Sequence, residues 1–556
     1  MRAAFMNRAM HQLRRTVRGL TSRTLTAAAV SAAVTLTSAQ VTADDKPPPQ
    51  VSAVPIPAGQ IDQAIGQLDA LADRLMAKSG IPGMAVAVVR DGRTVYAKGF
   101  GVRKAGEPGP VDADTVFQIA SLSKALTGTI VAHEVGAGTV SWDTPVVKHL
   151  PWFRLKDPWV TSHVTVADFL SHRSGLPDHG GDALEDLGYN QRQVLERLRF
   201  LPLAPFRTTY AYSNFGFTAG AAAVAAASGK PWATLADDVL YKPLGMTSTS
   251  SRFADFAART NRASGHVKVD GVYQPKYQRQ PDAQSPAGGV SSSVNDLARW
   301  IAMVLQNGTF DGRQIIAAPA LLPAISPQMI SAHASTSDAR ASFYGFGFDV
   351  GVSPAGRVVI KHSGAFAMGA GTNFAIIPSA GVGIVVVTNA WPIGVAETLA
   401  TEFTDLVQFG RIERDWFTAY APMLAPFIAP VGSLVGKPKP ANPAPAARLA
   451  DYLGSYANDY FGKAEIIRRG DGLVLKIGPA GIAYPLTHWD GNAFTFHPSS
   501  ENEPNGSISL ATFKSEGRAG FGSLTIEYLN EHGMGTFVHE TRCAGVHCRR
   551  NDSRQQ

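Results

Sequence analysis

Apolar residues recur at helical intervals in I-D-Q-A-I-G-Q-L-D-A-L-A-D-R-L-M, which predicts a helix over Ile61 to Met76, stopped by Gly80. The pattern then tightens into M-A-V-A-V-V-R-D-G-R-T-V-Y-A-K-G-F-G, two strands joined by a turn at Asp91-Gly92. Strand character returns far downstream in G-R-V-V-I-K-H, T-N-F-A-I-I-P and V-G-I-V-V-V-T-N, and the amphipathic E-T-L-A-T-E-F-T-D-L-V follows as a helix. Between them lies a helical, loop-rich middle reaching to about residue 340, with Asp296 to Leu305 its clearest helix. Strands and a flanking helix from both ends, around a helical middle, predict an α+β unit. It is an antiparallel sheet flanked by helices, with an inserted helical lobe.

Gly436 to Ala447, G-K-P-K-P-A-N-P-A-P-A-A, has the composition of a stiff, extended linker. Beyond it, Leu449 to Val538 alternates strand-like runs with turn residues, predicting a small all-β domain. The expected organisation is an export signal over 1–43, a disordered spacer over 44–59, the main domain over 60–412, a proline-rich linker over 413–447, the β domain over 448–540 and a tail over 541–556.

Composition narrows the function classes. Hydrophobic content of 45% and charged content of 17% describe a globular chain rather than a disordered one. The net charge of +7 gathers at the ends, in Arg2, Arg8, Arg14, Arg15, Arg18 and Arg23 and in Arg542, Arg549, Arg550 and Arg554. Neither cluster is interleaved with stacking aromatics, so no nucleic-acid partner is expected. A basic segment leads into L-T-A-A-A-V-S-A-A-V-T-L from Leu25 and small residues ending at Ala43, the pattern of a cleaved export signal. That run is too short and alanine-rich for a comfortable span, so no stable membrane span is expected after cleavage. A periplasmic or secreted location follows, by a route the Arg14-Arg15 pair leaves open. Cys543 and Cys548 are the only cysteines, and their spacing permits a small surface disulfide in an oxidising compartment. Without a histidine set at metal spacing they make no zinc site, and no metal or cofactor is expected.

Candidate chemistry centres on F-Q-I-A-S-L-S-K-A-L-T-G. Ser121 and Lys124 stand one helical turn apart, so the amine can sit beside the hydroxyl. A serine becomes a useful nucleophile only with such a base beside it. Downstream come A-Y-A-Y-S-N-F-G, with Tyr212, Ser213 and Asn214, and I-K-H-S-G-A, with His362, Ser363 and Gly364. No H-E-x-x-H and no G-x-S-x-G occurs, which removes the metalloprotease and ordinary α/β-hydrolase readings. The stretch from Gly364 to Gly371 is glycine-rich but lacks the lysine or hydroxyl that phosphate binding requires.

In order, these segments resemble the S-x-x-K, Y-x-N and K/H-[ST]-G motifs of the penicillin-recognising serine hydrolases, in the branch of class C β-lactamases, D,D-peptidases and esterases. L-S-H-R-S-G-L-P at Leu170 to Pro177 and P-A-G-G-V-S-S-S-V-N-D-L-A-R-W from Pro286 look like the same family, and the resemblance spans Gln60 to Phe409. It implies a β-lactamase/transpeptidase-like sheet and lobe with the active site between them. The C-terminal region resembles the small, lipocalin-like β-barrel that follows such domains. The resemblance makes Ser121 the acylated nucleophile, with Lys124 and Tyr212 sharing the proton work in an order that stays open. It places the oxyanion hole at the backbone N–H groups of Ser121 and Ala365, and substrate contacts at Asn214, His362, Ser363 and Gly364. A tyrosine beside an ammonium is favoured as phenolate, and a histidine at 362 holds a carboxylate less firmly than the lysine of many β-lactamases. His172 and Arg173 read as loop scaffold. The expected function is an exported serine hydrolase that cleaves an amide or ester, either a D-amino-acid peptide or a carboxylic ester. The alternatives are a class C-type β-lactamase and a non-catalytic protein that binds cell-wall fragments. A small molecule or short peptide is the expected partner, and the oligomeric state is left open.

Overall fold

The turn at Asp91-Gly92 starts the sheet. Both residues have positive φ, 49° and 76°, which a two-residue hairpin of the primed type requires, and they join β1 (Gly83–Arg90) to β2 (Arg93–Gly101). The computed structural model describes residues 50, 52, 54–515 and 520–540. The expected export signal over 1–43, the tail over 541–556 and the pair Cys543 and Cys548 lie outside the described residues.

Six later strands complete the sheet: β3 (Met329–Ala332), β4 (Ser342–Tyr344), β5 (Asp349–Val352), β6 (Val358–Phe366), β7 (Ala370–Ile377) and β8 (Val382–Thr388). Their order is β2-β1-β8-β7-β6-β5-β4-β3, with every pairing antiparallel. The chain's early hairpin thus docks on its late strands, as Met84 opposite Thr388 and Val88 opposite Ile384 show. Strand alternation then feeds two cores. Met84, Val86 and Val88 face one core with Leu399 and Phe403, while Ala85, Ala87 and Val89 face the other with Trp300 and Ile301. Because both faces are covered, β1, β7 and β8 are buried almost throughout, which is why they read as unbroken apolar runs.

Helices α1 (Gln60–Gly66) and α2 (Leu68–Ser79) lie on the first face. The single helix predicted there is broken after Gly66, a poor helix residue, while Gly80, at φ 68°, ends it as expected. On the second face α3 (Leu122–Gly136) packs against the sheet, and α4 (Asn214–Ser228) packs on α3. α5 (Val294–Leu305) covers β1 and β8 on the same side, and α6 (Val395–Phe409) returns to the first face. The fold is therefore the α+β arrangement expected, a β-lactamase/transpeptidase-like sheet with a helical lobe.

The segment over 413–447 is extended only in its second half. Its first half forms α7 (Trp416–Leu424), capped by Asp415, which accepts from the Thr418 N–H. Trp416 donates to Asp405 at 2.6 Å and Phe417 packs on the first core, so these aromatics pull the segment onto α6. The proline-rich half is strapped to the last domain: Ala444 donates to Asp490 at 2.6 Å and accepts from Gly491 at 2.9 Å. Composition reported the prolines but not the donors between them.

The last domain is a closed barrel of β9 (Gly454–Asn458), β10 (Gly462–Arg469), β11 (Gly472–Ile477), β12 (Ile482–Asp490), β13 (Ala493–Phe496), β14 (Ser509–Ser515), β15 (Phe521–Ile526) and β16 (Thr536–His539). Closure pairs β9 with β16, Tyr456 opposite His539. Tyr452 stacks on Phe521 at 4.4 Å between centroids, in a core shared with Phe494 and Phe513. The barrel rests on the lobe. Tyr189 donates to the Phe461 carbonyl at 2.7 Å, and Asp186 accepts from Ser500 at 2.8 Å and Asn502 at 2.6 Å. From the same barrel loop, Glu501 accepts from the Ala367 N–H at 2.7 Å, in the turn between β6 and β7.

Candidate active site

Ala120, wholly buried, has φ 48°. For a side chain with a Cβ this left-handed conformation costs about 1–2 kcal/mol. It delivers Ser121 to the N-cap of α3, where a serine ordinarily turns its hydroxyl onto a backbone N–H of the first helical turn, worth about 1 kcal/mol. No such bond forms here. The hydroxyl oxygen lies instead 3.1 Å from the Lys124 Nζ and 2.9 Å from the Tyr212 hydroxyl. Helix stability is given up so that this oxygen can meet a base and an acid.

Lys124 is buried completely. Its Nζ is 2.7 Å from Asn214 Oδ1 and 3.0 Å from the Ala287 carbonyl. Asn214 cannot present its amide the other way, because its Nδ2 donates to the Asp182 carboxylate at 2.9 Å. Both neighbours are therefore acceptors. A neutral amine has two protons and one lone pair. The two protons go to Asn214 and Ala287, and the lone pair is left facing Ser121. Burial, opposed by the Asp182 charge, lowers the Lys124 pKa to about 7, so the neutral form is well populated at neutral pH.

Tyr212 behaves oppositely. Burial pushes its phenol well above the ordinary value, and the carboxylates Asp349 and Asp182 add to the rise against the opposing bond to Ser121. The Lys124 Nζ lies 4.6 Å from the ring centroid, yet desolvation outweighs the pull towards phenolate expected from an ammonium. Tyr212 rests as a donor.

The lobe fixes these groups locally. Ser213 caps α4 by accepting from the Gly216 N–H, so Tyr212 and Asn214 flank the point where chain becomes helix. The neutral ring of His172 packs 4.4 Å from Tyr212 and 4.9 Å from Tyr344, and its Nδ1 accepts from the Ser213 N–H. Arg173 donates to Asp168 at 2.8 Å. Both residues are scaffold. The P-A-G-G segment is held against α3 by Thr127, which donates to the Pro286 carbonyl at 2.7 Å.

The third motif divides between the two faces of the sheet. Gly364 lies on the lobe side. A Cβ there would stand 2.7 Å from the Ile119 carbonyl and 3.0 Å from the Ser121 nitrogen, so only glycine lets β6 come this close to the nucleophile. The His362 side chain also lies on the lobe side, but buried. It meets the Tyr344 hydroxyl at 2.9 Å, and burial holds its pKa below the ordinary value. The Ser363 hydroxyl lies on the other face, where it donates to Glu397 of α6. The side-chain contacts to substrate expected of His362 and Ser363 are therefore not what this geometry offers. Period-two alternation sends Ser363 away from Ser121, and His362 is covered by Tyr344. β6 pairs with β5 only as far as Lys361, so from His362 to Phe366, including Ala365, it has a strand on one side alone. Among the described residues the Ser121 N–H meets no acceptor.

Ser121, Lys124, Tyr212, Asn214 and the Gly364 backbone thus converge. Sequence reasoning passed over Asp182, His179, Ala287 as a carbonyl, and Tyr344. His179 and Asp182, the latter opening the short helix Asp182–Asp186, pair at 2.9 Å just beyond L-S-H-R-S-G-L-P, and that nearness to a motif was the available signal.

A family model described as Beta-lactamase matches residues 68–408, and a second, described as a domain of unknown function (DUF3471), matches residues 438–534. The unguisins hydrolase ungD of Aspergillus violaceofuscus is 28% identical over 420 residues, covering 70% of this chain and 74% of that protein. The D-alanyl-D-alanine-carboxypeptidase/endopeptidase AmpH of Escherichia coli is 25% identical over 345 residues, covering 61% of this chain and 88% of AmpH. The octameric penicillin-binding protein homologue from Pyrococcus abyssi shares the fold, with a TM-score of 0.54 and 21% identity over 83% of this chain and 98% of its own.

Proposed function

Because the chain belongs to the β-lactamase family, we propose that it is an exported serine hydrolase that forms an acyl-enzyme on Ser121, cleaving an amide or ester such as a D-amino-acid peptide or a carboxylic ester. The observation that carries the reading is the buried Lys124 amine, 3.1 Å from Ser121 Oγ with its other two neighbours, Asn214 Oδ1 and the Ala287 carbonyl, both acceptors, so that the neutral amine turns its lone pair to the Ser121 hydroxyl.

Lys124 takes the Ser121 proton as Oγ attacks the carbonyl carbon. The resulting oxyanion lies against the N–H groups of Ser121 and Ala365, each donor commonly worth about 2.7–4 kcal/mol. Tyr212, bonded to the same Oγ, passes its proton to the leaving amine or alcohol and recovers one from the Lys124 ammonium. Water then attacks the acyl carbon and gives its proton to the same amine, which passes it to Oγ as the acyl bond breaks, so that Ser121 leaves as the free hydroxyl and Lys124 is again neutral. The neutral His362 supplies no fixed positive charge for a substrate carboxylate, which weights the reading towards peptides and esters over carboxylate-bearing β-lactams. Export rests on the N-terminal pattern. Among the described residues no helix is long and apolar enough to cross a membrane.

Labelling with a fluorophosphonate and a fluorescent penicillin, followed by peptide mass analysis, tests the assignment. The added mass should sit on Ser121, and Ser121→Ala should lose labelling together with hydrolysis of nitrophenyl esters and D-alanyl amides. Full activity in that variant refutes the nucleophile.

A further inference from the structure

A cavity of about 540 Å³ lies where the barrel meets the lobe. Its walls carry five carboxylates: Asp182 from the lobe, and Glu501, Glu503, Glu527 and Glu531 from the barrel side. Among the described residues no lysine or arginine lines it. The two histidines in the wall each stand against one of these carboxylates, His179 at 2.9 Å from Asp182 and His532 at 4.0 Å from Glu531. Glu501, Glu503 and Glu527 have only neutral donors at hydrogen-bond distance. These are the N–H groups of Ala367 and Met368, the Ser500 hydroxyl, and the N–H groups of Ser433 and Leu510.

An acidic wall alone says little, but Asp182 adds a second observation. Its side chain is more than nine-tenths buried, Oδ2 is taken by His179 and Asn214, and among the described residues Oδ1 has no partner. A buried carboxylate oxygen without a donor is costly. An uncompensated carboxylate beside a cavity favours a cation there. The wall also supplies apolar surface from Phe427 and Phe461. Neither Ser121 nor Tyr212 lines the cavity, yet it adjoins the reacting atoms through one chain of bonds, Asp182 to Asn214 at 2.9 Å, Asn214 to Lys124 at 2.7 Å and Lys124 to Ser121 at 3.1 Å.

We propose that this cavity is the subsite for a substrate segment bearing a primary ammonium on an apolar stem, with the barrel supplying most of its recognition. The proposal rests on the hydrolase reading above and names the substrate class for it. An ammonium there would lie within the field of Asp182, Glu527 and Glu531, while burial raises Glu501 to about 7 and Glu503 to about 8, so that these two carry less of the charge. A neutral group of the same shape would gain only the apolar contact.

The test uses the full chain carrying Ser121→Ala, so that binding is read without turnover. Calorimetric titration with 4-phenylbutylammonium and with 4-phenylbutanol compares charge at constant shape. The amine should bind about tenfold tighter or better, and the preference should shrink as salt is added. Glu531 is exposed at the rim, so Glu531→Gln and Glu531→Lys leave folding undisturbed. Both should reduce the preference for the amine, the charge reversal more strongly. Equal affinity for amine and alcohol, or a preference unchanged by Glu531→Lys, overturns the proposal. Fluorophosphonate labelling of the unsubstituted chain keeps the two ideas separate. Labelling with no amine preference removes the subsite and leaves the hydrolase, whereas an amine preference without labelling removes the hydrolase.

Discussion

Replacing Lys124 by methionine should destroy acylation and, at neutral pH, make the protein more stable. In the unfolded chain the amine has its ordinary pKa of 10.5, and in the fold burial brings it to about 7. That drop corresponds to about 5 kcal/mol of lost stability once both forms are weighed, about 4 of it expressed at pH 7. Methionine fills a similar volume without the charge, but leaves Asn214 Oδ1, the Ala287 carbonyl and Ser121 Oγ without the amine, at about 1 kcal/mol each. The variant should therefore gain about 1 kcal/mol at pH 7. The sign depends on pH. A depressed lysine pKa means that the unfolded state binds more protons between about 7 and 10.5, so the parent gains stability as pH rises through that window while the variant does not. By pH 9 the parent should have recovered about 2 kcal/mol, and the methionine variant should be the less stable of the two. Urea unfolding at pH 7, 8 and 9, with both proteins in the same buffers, reads the difference directly. A difference that stays constant from pH 7 to 9 would refute the claim that Lys124 is discharged by burial, and with it the assignment of the amine as base.

Acylation of the parent by an uncharged ester should fall about tenfold per pH unit below a midpoint near 7, because only the neutral amine can accept the Ser121 proton. Glu501 titrates at about 7 as well, and His179 is raised above its ordinary value chiefly by its bond to Asp182, so the same limb must persist in Glu501→Gln and His179→Asn. Tyr212→Phe should slow acylation about a hundredfold or more while keeping that acid limb, since the phenol gives a proton and does not set the base. A limb that vanishes in the phenylalanine variant would assign the base to Tyr212. Arg279→Met should destabilise the fold by about 3–5 kcal/mol in urea unfolding, because it strips the buried Glu185 of its partner at 2.5 Å. Adding Glu185→Met should recover most of that loss, and no recovery would show that the pair is not the cause.

The sheet and the S-x-x-K helix were legible because each rests on local rules. Asp91-Gly92 demands a primed turn, doubly buried strands must be apolar throughout, and residues three apart share a helix face. Tyr212 and Asn214 were legible because their motif sits at a capped helix start, where one turn of chain fixes both directions. His362 and Ser363 were misdirected for a reason that a motif cannot display. The letters H-S-G give composition at a strand edge, but which face each side chain takes follows from register, and what covers it follows from β4, eighteen residues away in sequence. Asp182 escaped notice for a related reason. Its importance lies in turning the Asn214 amide, which only coordinates reveal. In the 413–447 segment, prolines dominated the composition while Trp416 and Phe417 decided the packing.

The protonation states share one physical origin. Burial moves Lys124, His172 and His362 down and Tyr212 up, so it favours the uncharged form of each. In the acylation proposed above two charges arise at once, an oxyanion at the carbonyl and an ammonium at Lys124. The oxyanion forms at the start of α3, where the helix dipole favours negative charge. The ammonium forms one amide away from Asp182, whose charge already opposes the fall in the Lys124 pKa. Asp182 is thus better matched to the charge-separated state than to the resting one, which is the condition for lowering a barrier rather than tightening binding.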